Sequence, residues 1–212
     1  MRKIKLIAID PSLTQSGWSL FSLEKESPLA YGVIRPEPEK GFLGTRLLSL
    51  QNQIKLLFLE QELNSGDILV CEGPAPITLN PSSSIKVEQV RGIFEAIGRD
   101  MGLHVPGRVN PRTVQTELLG FQGKQRKREE VKEVARRVVK SLIGVCPDKE
   151  NMEQDVVDSI LIGLISLSRV KRAQISGMDL VEIFSEKGMS AGRNGGGRGL
   201  RWGSAGSNLK YK

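Results

Sequence analysis

The stretch IAIDPSLTQSGWSL, Ile7 to Leu20, carries an apolar run directly into an aspartate, Asp10. Burying an unpaired carboxylate is costly, so an acid at the end of a buried strand needs a reason. Asp10 either caps the turn that Pro11 begins or holds a positively charged group. A second apolar run starts after Gly17, which predicts two strands joined by a short turn.

The rest of the chain predicts an α/β fold with a mixed five-stranded sheet flanked by helices. Three closely spaced apolar runs predict an antiparallel meander, and a helix followed by a buried run predicts a parallel crossover. The predicted strands are 3–8, 17–23, 29–34, 68–71 and one near 104–105. The predicted helices are 42–63, 84–101, one that begins at Asn110, one within 123–144, and one within 151–170.

Composition excludes several classes of protein. The 212 residues include two cysteines without zinc-ligand spacing and one histidine, so a Cys/His metal site is not expected. No run of 18 apolar residues exists, and the basic N-terminus leads into too short an apolar run for a secretion signal. We expect a cytoplasmic or nucleoid-associated protein that contacts no membrane, and a viral or organellar source is compatible with this.

The net charge of +7 is unevenly placed. Six basic residues and no acidic ones lie between Lys187 and Lys212, in a segment rich in glycine and serine. This composition predicts a disordered basic tail, suited to nucleic acid or to a merely solubilising role. We therefore predict a folded domain over 1–175 and a C-terminal extension over 176–212.

Four carboxylates share one pattern. Asp10 closes the first strand, and Glu72 closes the crossover strand. If these strands are parallel neighbours, both acids lie at the sheet edge where open α/β sheets place their sites. Asp155 and Asp158 begin the last helix three residues apart, hence on one helical face. Each acid alone also has a structural interpretation, as a turn residue, a strand end or a helix cap.

Gathered together, these carboxylates could not all ionise without a counter-charge. Oxygen ligands suit Mg²⁺, which Mn²⁺ can replace. Two such ions about 4 Å apart can activate a water beside a phosphodiester and stabilise the leaving oxygen. The pattern therefore predicts two Mg²⁺ ions per site, held by Asp10, Glu72, Asp155 and Asp158, which would be both the metal ligands and the catalytic residues.

Four motifs in the same order resemble the RuvC-type Holliday junction resolvases of the RNase H-like superfamily. IAIDPSLTQSG resembles their opening motif, in which a glycine follows the Asp by seven residues, and LVCEGP resembles their second strand. EQVRGIFEAIG is similar to the helix that pairs two subunits there, and QDVVDSILIGL resembles their final Asp-x-x-Asp motif. The resemblance covers about residues 3 to 170. Two departures are Ser12, where the family usually has glycine, and the lack of an aromatic shortly after Glu72.

The resemblance implies an RNase H-like fold and a homodimeric, Mg²⁺-dependent crossover junction endodeoxyribonuclease. It would resolve four-way DNA junctions by paired nicks, one per subunit, in recombination and repair. The helix that carries Val87, Val90, Phe94, Ile97 and Met101 has a heptad-like seam and is the expected dimer contact.

Basic residues predict where DNA binds. Clustered Lys and Arg side chains are the usual footprint of phosphate contacts. The predicted contacts are Lys124, Arg126, Lys127 and Arg128, which precede a helix without interleaved acids, together with Arg112 near a helix start. The basic residues from Lys132 to Lys140 are interspersed with glutamates, and a solvated helix face explains them equally well.

Other functions remain open. A non-catalytic junction or nucleic-acid-binding module would bind without metal and cut nothing. An RNase H-like nuclease could act on another branched or RNA-containing substrate. Actin-type sugar kinases and ATPases share the fold and a similar first loop, but they need a second Asp-Gly-Gly-type loop, which the sequence lacks.

Overall fold

The computed structural model describes residues 3–74, 81–121, 126–143 and 152–185. The strands are β1 (Lys5–Asp10), β2 (Ser16–Ser22), β3 (Ala30–Ile34), β4 (Ile68–Glu72) and β5 (Arg108–Val109). The helices are α1 (Leu43–Glu60), α2 (Pro81–Asp100), α3 (Pro111–Thr113), a π-helical turn (Val114–Leu118), α4 (Arg128–Ile143), α5 (Gln154–Ser176) and α6 (Leu180–Ser185). Among the helices described, none is long and apolar enough to cross a bilayer.

The strands form one five-stranded mixed sheet in the order β3-β2-β1-β4-β5. β2 pairs antiparallel with β1 and β3, whereas β4 runs parallel to β1 and β5. The predicted fold class is confirmed. The last strand, however, is Arg108–Val109 rather than a strand at 104–105, because His104 makes only a single bridge to Ile68.

Two hydrophobic cores cover the two faces of the sheet. Successive side chains of a strand point to opposite faces, so Leu6 and Ala8 of β1 join the core formed with α4 and α5. Ile7 and Ile9 join the opposite core, formed with α1 and α2. A strand buried on both faces is a near-continuous apolar run, which explains why β1 has no polar alternation.

Helix α5 lies directly on β2 through three matched contacts. A Cβ at Gly17 would come 1.9 Å from the Asp155 carbonyl oxygen, Ser19 Oγ donates to the Ser159 carbonyl at 2.8 Å, and a Cβ at Gly163 would come 2.1 Å from the Phe21 ring. Two residues of a strand span about 6.6 Å and four residues of a helix span about 6 Å. Every second residue of β2 therefore lies opposite every fourth residue of α5. The glycines allow this close approach.

The seam of α2 packs within its own chain, which corrects the role we predicted for its side chains. Val90, Phe94 and Ile97 are buried in the core formed with α1 and the sheet. These three side chains therefore do not face a second subunit. The side of α2 that faces solvent carries a different stripe, Ile85, Gln89, Gly92 and Ala96.

The chain after position 175 contributes to the fold at its start. α5 ends at Gly177, whose φ of 68° is the left-handed conformation that favours glycine at a helix C-terminus. α6 follows and buries Ile183 and Phe184, and a Cβ at Gly107 would come 2.8 Å from Phe184 Cβ. The division into 1–175 and 176–212 stays a prediction, since the basic tail lies outside the described residues.

Candidate active site

Asp10 and Glu72 are neighbours at the carboxyl ends of β1 and β4. Ile9 pairs with Cys71 in the parallel register, so the next residues of the two strands lie side by side. Successive side chains of a strand point to opposite faces of the sheet, so Asp10 and Glu72 lie on the same face as Ala8 and Val70. This is the face that α5 covers. The two carboxyl groups interact directly, and both the charge of Glu72 and this contact help to raise the pKa of Asp10.

Asp155 and Asp158 reach the same recess from the first turns of α5. Gly17 pairs with Asp10 across β1 and β2, and its missing side chain leaves room for the Asp155 backbone. All four acids line one cavity of about 360 Å³. The structure therefore brings together all four carboxylates that the sequence analysis singled out.

Burial is the largest cause of the unusual pKa values in this group. Burial, and then the charge of Glu72, raise the pKa of Asp10 well above its usual range. Burial and the charge of Asp158 raise the pKa of Glu72 to about 7. Burial also raises the pKa of Asp158 to about 6, although a hydrogen bond from Gln154 opposes the shift. Near neutral pH the group thus retains protons, as expected of like charges without a counter-ion.

Two glutamine amides hold the carboxylates of α5. Gln15 Nε2 donates to Asp155 Oδ2 at 2.7 Å, and Gln154 Nε2 donates to Asp158 Oδ1 at 2.9 Å. Throughout the described parts of the chain, no three His, Cys, Asp or Glu side chains are arranged so that they could hold one metal ion. The four acids therefore share a cavity while two of them are oriented toward amides.

The donor chemistry of the cavity nevertheless fits a hard divalent cation. Every acidic ligand is a carboxylate oxygen, the type that Mg²⁺ and Mn²⁺ prefer. The acids come from three separate elements and repel one another, which a cation would relieve.

One wall of the cavity is basic. Arg128 and Lys132 of α4 line it, and their charges oppose the rise in the pKa of Asp158. They are four residues apart, hence on one helical face. Val131 and Ala135 line the same wall and face inward with them. The cavity therefore has the four carboxylates on one side and the two basic side chains of α4 on another.

The predicted DNA contacts are placed unevenly around this cavity. Arg128 lines it, and Arg112 lies at its margin, where its Nη1 donates to Gln115 at 3.2 Å. Lys127 is exposed just before α4. Arg126 is exposed, pairs with Glu130 at 3.4 Å and lies 5.7 Å from the centre of the Phe121 ring. Lys124 falls outside the described residues.

A second cluster of charges supports Glu72 from α2. Arg91 is only 1% exposed, pairs with Glu88, and donates from Nε to the Glu72 carbonyl at 2.5 Å. Arg108 of β5 binds Glu95 through two nitrogens, at 2.7 and 3.0 Å, and reaches Glu88 at 3.2 Å. This network attaches α2 to the ends of β4 and β5, and so fixes the backbone that carries Glu72.

Sequence reasoning left open or missed several residues in and around the cavity. It left Lys132 open between a phosphate contact and a solvated helix face, although Lys132 follows Arg128 by four residues on one helical face. Gln15 and Gln154 had no readable signal, since their partners are distant in sequence or depend on side-chain orientation. Arg91 also had no signal, because a basic residue among apolar ones in a helix ordinarily lies at the surface.

The fold and this cavity together define an RNase H-like α/β protein with an acidic site at the carboxyl edge of its central strands. The chain is 30% identical to the crossover junction endodeoxyribonuclease RuvC of Xanthobacter autotrophicus over 107 residues, which are 50% of this chain and 60% of that protein. No family model matches. The match thus spans less than two thirds of that relative.

Solved structures agree on the fold. The chain superposes on Thermus thermophilus RuvC with a TM-score of 0.62 and 15% identity, over 80% of this chain and 97% of that one. It superposes on T. thermophilus RuvC in complex with a Holliday junction substrate with a TM-score of 0.60 and 15% identity, over 80% and 96%. The resemblance to RuvC-type resolvases that the sequence motifs indicated is confirmed.

Proposed function

We propose that this chain is a metal-dependent, structure-specific DNA endonuclease that resolves four-way junctions. The observation that carries the proposal is the single cavity that four carboxylates of three separate elements share on an RNase H-like fold. The similar proteins, a crossover junction endodeoxyribonuclease and a RuvC bound to a Holliday junction substrate, support the choice of DNA.

The proposed metal ligands are Asp10, Glu72, Asp155 and Asp158, for two Mg²⁺ ions that Mn²⁺ can replace. When bound, such ions supply activation of a water and stabilisation of the leaving oxygen in phosphodiester hydrolysis. The rigid ends of β1 and β4 keep the first two acids in place, and the network around Arg91 holds the β4 end.

The basic wall would receive the DNA strand. Arg128 offers a guanidinium that can bind two phosphate oxygens at once. Arg112, Lys127 and Arg126 extend this positive surface away from the cavity, and Lys124 is proposed to do the same. Clustered cations of this kind supply most of the affinity for a polyanion and make it dependent on salt.

Activity requires a test that separates chemistry from binding. We expect Asp10→Asn or Glu72→Gln to abolish Mg²⁺-dependent cleavage of a four-way junction while binding of the junction persists, because neither acid contacts phosphate. Asp100→Asn, an exposed acid at the end of α2, is the matched control and should cleave normally. Undiminished cleavage by both site variants would rule out the proposal.

Substrate choice follows from the same assay with a panel of substrates. A four-way junction, a three-way junction, a flap, a plain duplex and an RNA–DNA hybrid are compared with Mg²⁺ and with Mn²⁺. Preferential, paired nicking of the four-way junction supports resolution. Equal or better cutting of another member of the panel would favour a related nuclease instead, and binding without any cutting would favour a non-catalytic module.

Paired nicks require two sites, so we propose a homodimer that forms through the exposed stripe of α2. Ile85 is 60% exposed there, and a Cβ at Gly92 would meet nothing within 4 Å. Small residues let a second helix approach closely. Gly92→Leu should therefore sediment as a folded monomer in analytical ultracentrifugation. Asn52→Leu, at an exposed position of α1, should leave the dimer intact. A wild-type chain that sediments as a monomer would contradict the dimer.

A further inference from the structure

Two cavities meet at Lys132. One is the acidic cavity, and the other is a groove of about 330 Å³ along the outer side of α4. Lys132 lines both of them. The groove is also lined by Arg136, Arg137 and Lys140 and by two glutamates, Glu129 and Glu133. Its net charge is therefore positive from the surface to the mouth of the site.

An acidic cavity alone is a poor receptor for a phosphodiester. The four carboxylates attract cations and repel the oxygens of a phosphate. A positive group at the boundary between the acids and the DNA channel would offset this repulsion where the strand enters. Such a group must lie close to the acids, and Lys132 lines the same cavity as all four of them.

Burial distinguishes Lys132 from the other basic residues of α4. Its side chain is half-buried, whereas Arg128 and Arg136, one turn before and after it, are exposed. Arg137 is bound to Glu133 at 2.5 Å and is also exposed. A half-buried lysine keeps its apolar stem against the wall and presents its ammonium at the opening of the cavity.

We propose that Lys132 binds the DNA phosphate that enters the acidic cavity and positions it over the carboxylates. This inference rests on the proposed function and extends it to a residue outside the acidic motif. Lys132 offers three N–H donors and a compact charge, so it can follow a phosphate whose oxygens shift during the reaction.

The test uses Lys132→Met, which keeps the stem and removes the charge, and Lys132→Arg, which retains a charge. The control is Lys55→Met, an exposed lysine in the middle of α1 on the opposite face of the sheet. Junction binding is measured in EDTA over a series of salt concentrations, and kcat and KM are measured with Mg²⁺. Thermal unfolding verifies that each variant is folded.

We expect Lys132→Met to reduce the salt slope of binding by about 0.9, the amount for one lost phosphate contact. Its kcat should fall about 100-fold, as for the loss of one donor to a reacting group. Lys132→Arg should restore the slope and most of kcat, and Lys55→Met should match the wild type. A merely structural lysine would not change the salt slope.

An unchanged slope for Lys132→Met overturns the inference, whatever happens to kcat. This outcome is separable from failure of the proposed function. If Asp10→Asn cleaves like the wild type, the nuclease assignment fails while the binding slope still decides whether Lys132 contacts phosphate. If Asp10→Asn is inactive and Lys132→Met keeps the wild-type slope, only the role of Lys132 is wrong.

Discussion

Two clusters of charged side chains meet at Glu72, and they are built on opposite rules. The α2 network alternates charges: Arg91 with Glu88, Glu88 with Arg108, and Arg108 with Glu95. The acidic cavity gathers four carboxylates, and the cations that line it in the described part of the chain, Arg128 and Lys132, lie on one wall. The backbone of Glu72 belongs to the first cluster, and its carboxyl group belongs to the second.

This difference separates structural charges from functional ones. In the α2 network each buried charge finds its partner within the chain, so nothing further has to bind. In the acidic cavity the like charges raise one another's pKa, which is typical of sites that bind or react. We therefore expect substitutions in the two clusters to change stability in opposite directions, and the following four predictions test this.

The largest effect on stability is expected from Arg91→Met. The change removes a buried guanidinium and leaves the Glu72 carbonyl without this donor, while Glu88 keeps only Arg108. The free energy of unfolding should fall by about 3 kcal/mol. Urea unfolding measures this. Arg99→Met is the control, because exposed Arg99 only approaches Glu95 at 3.9 Å, and about 0–1 kcal/mol is expected. Equal effects of the two variants would contradict the contrast.

The next effect is expected from Gly17→Ala, which tests how the acidic cluster is assembled. The new methyl group would collide with the Asp155 carbonyl and displace the start of α5, at a cost of about 1–3 kcal/mol. Stabilisation by Mg²⁺, measured as a shift in Tm, should be lost at the same time.

Gly32→Ala is the matched strand substitution. Its Cβ would come 3.0 Å from the Trp18 side chain rather than from backbone, so some adjustment is available. This variant should keep the Mg²⁺ response. If Gly17→Ala keeps that response as well, the close approach of α5 is not what gathers the acids.

Asp10→Asn should raise stability although it abolishes the proposed activity. The amide keeps the size of the carboxyl group and removes the cost of burying an acid among three other acids, so a higher free energy of unfolding is expected at pH 8 in EDTA. Activity and stability trade off in this way at sites built for function. Chemical denaturation measures the change. A destabilised variant would mean that Asp10 makes favourable interactions within the chain, contrary to this interpretation.

The last prediction concerns the pH dependence of the stability of the metal-free protein. The pKa of Glu72 is about 7 in the folded protein, and its usual value is 4.5. Between these two pH values the folded state therefore binds more protons than the unfolded state. Stability should therefore fall as pH rises from about 4.5 to about 7, and Asp158 should add to the fall up to about 6.

Tm measured from pH 4 to pH 8, with EDTA and with Mg²⁺, tests this dependence. A cation that binds the folded state should raise Tm most above pH 7, where the acids are ionised. Glu72→Gln should flatten the EDTA curve. A curve that rises between pH 4.5 and 7 would contradict the direction of the pKa shifts.

Local patterns predicted the sheet well because they depend on short-range geometry. The apolar run of β1, the turn after Asp10 and the order strand, helix, strand that leads to β4 can each be recognised from short stretches of sequence. These patterns also placed Asp10 and Glu72 at one edge. The short strand β5 was misplaced, since its two residues pair only where β4 already provides an edge.

The α2 seam shows where pattern reasoning fails. A stripe at steps of 3 and 4 predicts that one face of a helix is covered, and Val90, Phe94 and Ile97 are indeed covered. The pattern does not specify the covering surface. The same chain's sheet and α1 cover this face, and the residues that remain outside, such as Gly92, form a much weaker sequence pattern.

By itself, the sequence determined which residues alternate or recur, and hence the order of elements and the acids at their ends. Those properties depend on fixed periods of backbone geometry, which operate over a few residues. Only the tertiary structure decided that α5 fits against Gly17, that amides hold Asp155 and Asp158, and that Lys132 faces the cavity. Each of these depends on contacts between distant segments, whose distances and directions no local period encodes.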